Sequence, residues 1–154
     1  MMFTKVLSEQ EHIEIENNLH EQFGIDLVDG LLIKKGEERL FFFSGNFSEA
    51  QIKNLEACVP IERLGIYFAK IIGNDVKLSI EGTNLLKNQI KKNIFELNEK
   101  QLEEWMTGSD LQVKTGKKGF IVVKYKDDLL GCGKASEEKI GNYIPKSRRL
   151  KQKG

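Results

Sequence analysis

The chain has 154 residues, 40% of them hydrophobic with nine Phe, and a formal net charge of +1. That is ample apolar material for a packed core, which excludes global disorder and suits one ordinary domain or two small ones sharing an interface. The N-terminal stretch "MMFTKVLSEQEHIEIE" turns polar after seven residues, and no apolar run has the length of a signal peptide or a membrane span, so a cytoplasmic protein is expected.

The two cysteines, Cys58 and Cys132, lie 74 positions apart with no CxxC and no His cluster. Both are therefore expected as buried reduced thiols rather than as a disulfide or a metal site. The net charge conceals an asymmetry. Residues 1–90 hold 9 Lys+Arg against 14 Asp+Glu, whereas residues 91–154 hold 15 against 9. An acidic first part and a basic second part indicate a division of labour, with the basic part facing an anionic partner.

In chain order, "SEQE" at Ser8 to Glu11 is a capping box that predicts a helix. Ile15, Leu19 and Phe23 form its apolar stripe and Gly24 its stop. "GLLIKKG" and "ERLFFFSG" read as a hairpin about Lys35, Gly36 and Glu37. A second capping box, "SEAQ" at Ser48 to Gln51, opens a short helix with Ile52 and Leu55 facing inward. "ERLGIYFAKIIGNDVKLSIEG" predicts another hairpin about Gly73, Asn74 and Asp75. "TNLLKNQIKKN" predicts a helix from Thr83 to near Asn93, and the domain junction is placed close to residue 90. No Ser/Gly/Pro-rich linker marks that junction, so the two parts are expected to pack closely.

The basic part opens on a short strand, "IFEL", and a capped helix from "NEKQ" at Asn98 to Gln101. That helix carries Leu102, Trp105 and Met106, with Trp105 expected in the core and Gly108 as the stop. The remainder, "LQVKT", "GFIVVKY", "LLGCGKA" and "GNYIP", reads as short strands with glycine turns, the pattern of a small barrel. Alternation along "GFIVVKYK" places Lys124 and Lys126 on one face and Ile121, Val123 and Tyr125 on the other.

Catalytic signatures are missing. "GCGKAS" fails the Walker pattern at Asp128 and Ala135 and the dinucleotide pattern at Ser136, leaving a tight turn or a close backbone approach as its reading. His12 and His20 stand eight apart on one helix and do not converge. The carboxylates of that helix spread over its faces. No cofactor site, metal site or enzyme is expected.

What remains is the basic set Lys114, Lys117, Lys118, Lys124, Lys126, Lys134, Lys139, Lys146, Arg148, Arg149, Lys151 and Lys153. Charge alone leaves two readings open, a solvated basic surface or a phosphate-binding face.

The stretch "GFIVVKYKDDLLGCGKASEEKIGNYIPKSRRL" resembles the second half of a PUA domain, the small RNA-binding pseudo-barrel of pseudouridine synthases and archaeosine transglycosylases. The resemblance rests on Gly119 to Tyr125 and on Leu130, Gly131, Cys132 and Gly133. Upstream, "LGIYFAKIIGNDVKLSIEGTNLLKNQIKKNIFEL" is similar to the linker of the pre-PUA-plus-PUA factors of large-subunit maturation, at Leu64, Gly65, Phe68, Lys70 and the run from Leu78 to Leu86. Ala69 departs from their glycine. "LGCGKASEEKIGNYIPKSRRL" also resembles the C-terminal RNA-binding extension of NOL1/NOP2/Sun-type RNA cytosine methyltransferases, through Asn142, Pro145, Lys146 and Arg149. Their catalytic half has no counterpart here, neither in strand–helix alternation nor in a Pro-Cys motif.

These resemblances imply an α+β protein, with an acidic pre-PUA domain (1–90) packed on a basic PUA-type pseudo-barrel (91–154). They imply non-catalytic binding of RNA, ribosomal RNA during ribosome biogenesis or tRNA. The alternatives are a tRNA-binding accessory subunit for an RNA-modifying enzyme and a protein-interaction adaptor. Lys146, Arg148, Arg149 and Lys151 are expected on phosphates with Lys118 and Lys134 at the margin, and Asn142 in the shared motif. Tyr143 is expected either as a stacking platform or as core. The acidic part would meet partner proteins of ribosome assembly or RNA modification. "GNYIP" is expected as a closing strand with Ile144 inward and Pro145 at a bulge or edge, and only "KQKG" should fray.

Overall fold

The computed structural model describes residues 4–45 and 47–151. Strand β1 (Thr4–Val6) leads into helix α1 (Glu9–Phe23). Its capping box forms: Ser8 Oγ accepts from the Glu11 amide, and the Glu11 carboxylate accepts from the Ser8 amide. Lys5 bonds the same carboxylate at 2.8 Å, and that bond together with the Ser8 amide holds Glu11 at a pKa of about 2. Ile15, Leu19 and Phe23 are buried as the stripe predicts, and Gly24 at φ 75° ends the helix in the left-handed region.

Strands β2 (Leu31–Lys35), β3 (Arg39–Phe43), β4 (Ile66–Ile72) and β5 (Asp75–Leu78) join β1 in an antiparallel meander ordered β1-β2-β3-β4-β5. One face packs on α1. The other carries Ile33 and Phe41 beneath Ile52 of α2 (Glu49–Glu56), whose capping box from Ser48 to Gln51 also forms. Leu55, expected inward, is only half-buried. A one-turn helix, α3 (Ile61–Leu64), precedes β4. Cys58, in the turn after α2, is exposed, which corrects the expectation of two buried thiols; Cys132 is buried.

Helix α4 (Ile80–Leu85) starts three residues before the predicted helix and stops well short of Asn93. Ser79 explains the start, since its Oγ accepts from the Gly82 amide at 2.9 Å. Ile90 is already extended and Asn93 sits at φ 57°, so a helix cannot run through to 93.

The second sheet is ordered β6-β7-β8-β9: β6 (Ile94–Glu96), β7 (Gly119–Tyr125), β8 (Asp128–Ala135) and β9 (Ile140–Gly141). β6 runs parallel to β7, and the connection between them holds α5 (Glu99–Met106). The sheet does not close into a full barrel among the described residues. "LQVKT" contributes a single bridge, Leu111 to Ile140, because the Val113 amide turns back to the Leu111 carbonyl and ends the pairing. "GNYIP" pairs only through Gly141, for a reason that lies in Asn142.

β7 is buried on both faces. Phe120 and Val122 enter the core of α1 and the first sheet, beside Phe23, Phe68 and Leu78. Ile121 and Val123 enter a second core with Trp105, Leu111, Ile140 and Ile144. The apolar core therefore continues across residue 90. Lys126 is not on this strand but in the following turn at φ 51°, so it does not share a strand face with Lys124.

The "GCGK" stretch serves this packing. Gly131, at φ 87°, lies against Ile80 of α4. A Cβ on Gly133 would sit 2.5 Å from Ile140 Cγ2 and 2.7 Å from Trp105 Cη2. Gly133→Ala should therefore overpack this site and cost about 1–3 kcal/mol, read as a lowered melting temperature by circular dichroism. Burial pushes the Cys132 thiol up to about 12, whereas Cys58 is open to solvent. A disulfide-exchange reagent at pH 8 should titrate one thiol per native chain rapidly and the second only in denaturant.

Candidate nucleic-acid interface

The C-terminal segment is organised by Asn142. Its Nδ2 donates to the carbonyls of Trp105 (2.8 Å) and Ser109 (3.0 Å), and its Oδ1 accepts from the Ile144 amide at 2.8 Å. The Asn142 amide itself donates to Asp110 Oδ1 at 2.8 Å. An Asn side chain that bonds the amide two residues on replaces a ladder bond with a local turn, which is why the strand stops at Gly141. The turn sends Ile144 into the second core and leaves Tyr143 outside, at 3% and 42% exposure.

Beyond it, Pro145 opens a 3-10 turn over Lys146–Arg148 in place of the expected bulge. Arg149 Nε donates to the Ile144 carbonyl at 2.9 Å, and the Arg149 side chain lies over Gly108. The Leu150 amide donates to the Met106 carbonyl at 2.8 Å. The segment is thus pinned to the body as far as Leu150. The expected fraying of Gln152, Lys153 and Gly154, and the place of Lys153 in the basic set, lie outside the described residues.

Tyr143 stands as a ridge between two depressions. On one side is a cleft of about 170 Å³ bounded by Tyr67, Lys77 and Glu81 from the first part of the chain and by Cys132, Tyr143 and Arg148 from the second. Lys77 Nζ sits 4.2 Å from the Tyr143 ring centroid, within cation–π range. Arg148 crosses the cleft to bond Glu81. On the other side a shallower depression is lined by Asp110, Lys134, Lys139, Asn142 and Tyr143. Phe120 supports the ridge from below, with its centroid 6.1 Å from that of Tyr143, and Lys134 Nζ lies 5.7 Å from the Phe120 ring.

Electrostatics mark both sides. Partial burial, with the Lys70 charge adding to it, lowers the Lys77 pKa, and among the described residues no carboxylate lies within salt-bridge distance of Lys77. Burial acts to raise the Glu81 pKa, but the bond from Arg148, the Glu81 backbone amide and the Arg148 charge together outweigh it, and the carboxyl ends below its ordinary value. The Asn142 amide, followed by Lys139 at 3.1 Å, lowers Asp110.

The residues picked out in the sequence divide accordingly. Tyr143 and Arg148 line the cleft; Lys134, Asn142 and Tyr143 line the depression. Lys118 precedes Gly119, which pairs with Ala135, so it lies at the same end of the β7–β8 ladder as Lys134. Lys146 is exposed on the 3-10 turn. Lys151 is set apart, on a groove of α5 beside Glu99 and Glu103. Asn142 and Arg149 are bonded to the body of the protein itself.

The sequence reading missed Lys77, Tyr67 and Glu81, all in the acidic part. Alternation in "DVKL" puts Lys77 opposite buried Val76 and Leu78, but nothing local signals that Tyr143 covers it. Among the described residues no group of three or more His, Cys, Asp or Glu could hold a metal, and no helix is long and apolar enough to cross a membrane.

The Asp110 clamp has a pH signature. A carboxyl held below its unfolded value of 3.8 contributes stability that is present above that value and lost as pH falls through the folded one. Between pH 5 and pH 3 the melting temperature should therefore fall more steeply for the wild type than for Asp110→Asn, which keeps an acceptor for Asn142 but has nothing to titrate.

Comparison with known proteins bears on the same segment. Residues 92–150 match the family model described as the methyltransferase RsmF PUA domain. Several relatives are named ribosomal RNA small subunit methyltransferase F. The protein of Psychromonas ingrahamii is 28% identical over 131 residues, covering 81% of this chain and 26% of its own. That of Vibrio parahaemolyticus is 27% identical over 146 residues, covering 90% and 29%. That of Shewanella oneidensis is 28% identical over 128 residues, covering 82% and 26%. The chain thus spans little more than a quarter of the length of these relatives. They agree with the Sun-type resemblance, and their names concern the small ribosomal subunit rather than the large. Over residues 92–150, this chain is therefore similar to the PUA domain of RsmF-type methyltransferases.

Proposed function

We propose that this chain is a non-catalytic RNA-binding module that engages ribosomal RNA through the face around Tyr143. The observation that carries the reading is the exposed Tyr143 ring on a buried support, with Lys77 on one side and Lys134 on the other. An aromatic platform between cations meets the two needs of single-stranded RNA, a surface for a base and charge for its phosphates. Lys118, Lys134, Lys146 and Arg148 supply the phosphate contacts, and Lys151 a peripheral one. Asn142 and Arg149 shape the site from behind.

Relatives named for small-subunit ribosomal RNA methylation favour ribosomal RNA of that subunit as the ligand class. The non-catalytic reading is supported by a sequence in which neither proline precedes a cysteine. Residues 4–90 act as a pre-PUA part that buttresses the platform. Their excess of acid suits contact with proteins more than with RNA.

Fluorescence anisotropy with a labelled small-subunit ribosomal RNA transcript between 50 and 200 mM salt tests this. Binding should weaken with a log–log slope of about −0.7 per contact to single-stranded phosphate. Lys134→Ala with Lys146→Ala should make that slope shallower by about 1.4. A purified protein that shifts no RNA at low salt would sink the proposal, as would a double variant with an unchanged slope.

A further inference from the structure

The cleft between the two parts of the chain holds two cations, Lys77 and Arg148, and one carboxylate, Glu81. Glu81 already partners Arg148, while among the described residues no carboxylate forms an ion pair with Lys77, on which Glu38 acts only as a more distant charge. A half-buried ammonium without a counter-ion is a costly arrangement for a folded protein to keep, and an incoming anion would relieve it. Two tyrosines flank these charges, Tyr67 at 36% and Tyr143 at 42% exposure. At about 170 Å³ the cleft is smaller than the roughly 300–1,000 Å³ that encloses a drug-sized ligand. It suits a single planar ring with a phosphate at its mouth.

Building on the RNA-binding reading, we infer that this cleft receives one unpaired nucleotide of the RNA. Its base lies against Tyr67 and Tyr143, and its phosphate is taken by Lys77 and by Arg148 as Arg148 exchanges Glu81 for the phosphate. The selectivity that results is for unpaired RNA, because a base held in a duplex cannot present its face to Tyr143. Glu81 holds Arg148 in place in the empty cleft and competes with the phosphate, so it lowers the affinity for RNA while keeping the guanidinium oriented. The acidic part of the chain thereby contributes half of the nucleotide site.

The test uses the full chain and two fluorescein-labelled probes, a mixed-sequence single-stranded 12-mer RNA and a blunt duplex of the same sequence. Tyr143→Leu keeps apolar contact with Phe120 but removes the stacking face. It should weaken single-strand binding about fivefold or more and leave the duplex unchanged. Lys77→Ala should make the single-strand salt slope shallower by about 0.7. Glu81→Gln should tighten single-strand binding, and it serves as the independent arm if Lys77→Ala folds poorly. Lys100→Ala, exposed on α5, is the control and should match the wild type. Wild-type binding that is not tightened by Glu81→Gln overturns the cleft alone. Binding that survives Tyr143→Leu and Lys77→Ala undiminished overturns both the cleft and the Tyr143 platform, leaving only RNA binding through Lys118, Lys134 and Lys146 standing. Failure of the wild type to bind either probe removes that as well.

Discussion

Strand β7 is the constraint on which the rest of the molecule depends. A strand with apolar residues on both faces must be covered on both, and here two different sets of elements do so. α1 and the first sheet cover Phe120 and Val122; α5, β9 and Ile144 cover Ile121 and Val123. The two parts of the chain are thus fixed to opposite sides of one wall four residues thick in sequence. Their relative position follows from packing in the core, where displacing even a methylene is felt. Lys77 and Tyr143 meet because β5 and residue 143 are both referred to that wall, one through Val76 and Leu78, the other through Ile144.

The same logic explains why so much of the C-terminal motif is structural. Asn142 has two amide donors and a carbonyl, and all are satisfied within the protein. Arg149, with its Nε on the Ile144 carbonyl, braces the turn from the other end. Residues that look like ligands in a motif can instead be the frame that aims their neighbours, and here the aimed residue is Tyr143. The two glycines of "GCGK" belong to this frame as well: one takes a backbone angle most side chains avoid, the other lets an indole and an isoleucine close on the strand.

Local signals in the sequence were legible. The capping boxes at Ser8, Ser48 and Asn98 each placed a helix start to the residue, since the bonds involved are within three residues of each other. Both hairpins were legible for the same reason. The helix expected at Thr83 was misplaced because its cap, Ser79, sits inside what reads as a strand. "GNYIP" looked like a strand because extended backbone and a local Asn turn share the same composition. Cys58 was assigned by cysteine spacing and compartment, neither of which reports burial, and its exposure depends on how the turn after α2 lies. Of the site, the C-terminal residues were visible as a motif and a charge run. Lys77, Tyr67 and Glu81 were not, because their role arises only where two distant segments meet.

The continuity of the core also bears on how the chain is made. Phe23 of α1 shares its core with Val122, 99 positions further on. At a synthesis rate of roughly 5–20 residues per second, that apolar stripe waits roughly 5–20 s for its cover to be synthesised. Contacts of such long range also slow folding once the chain is complete. The first sheet can form its hairpins early, but the apolar stripe of α1 is not fully sheltered until β7 has emerged, which leaves it exposed on the nascent chain.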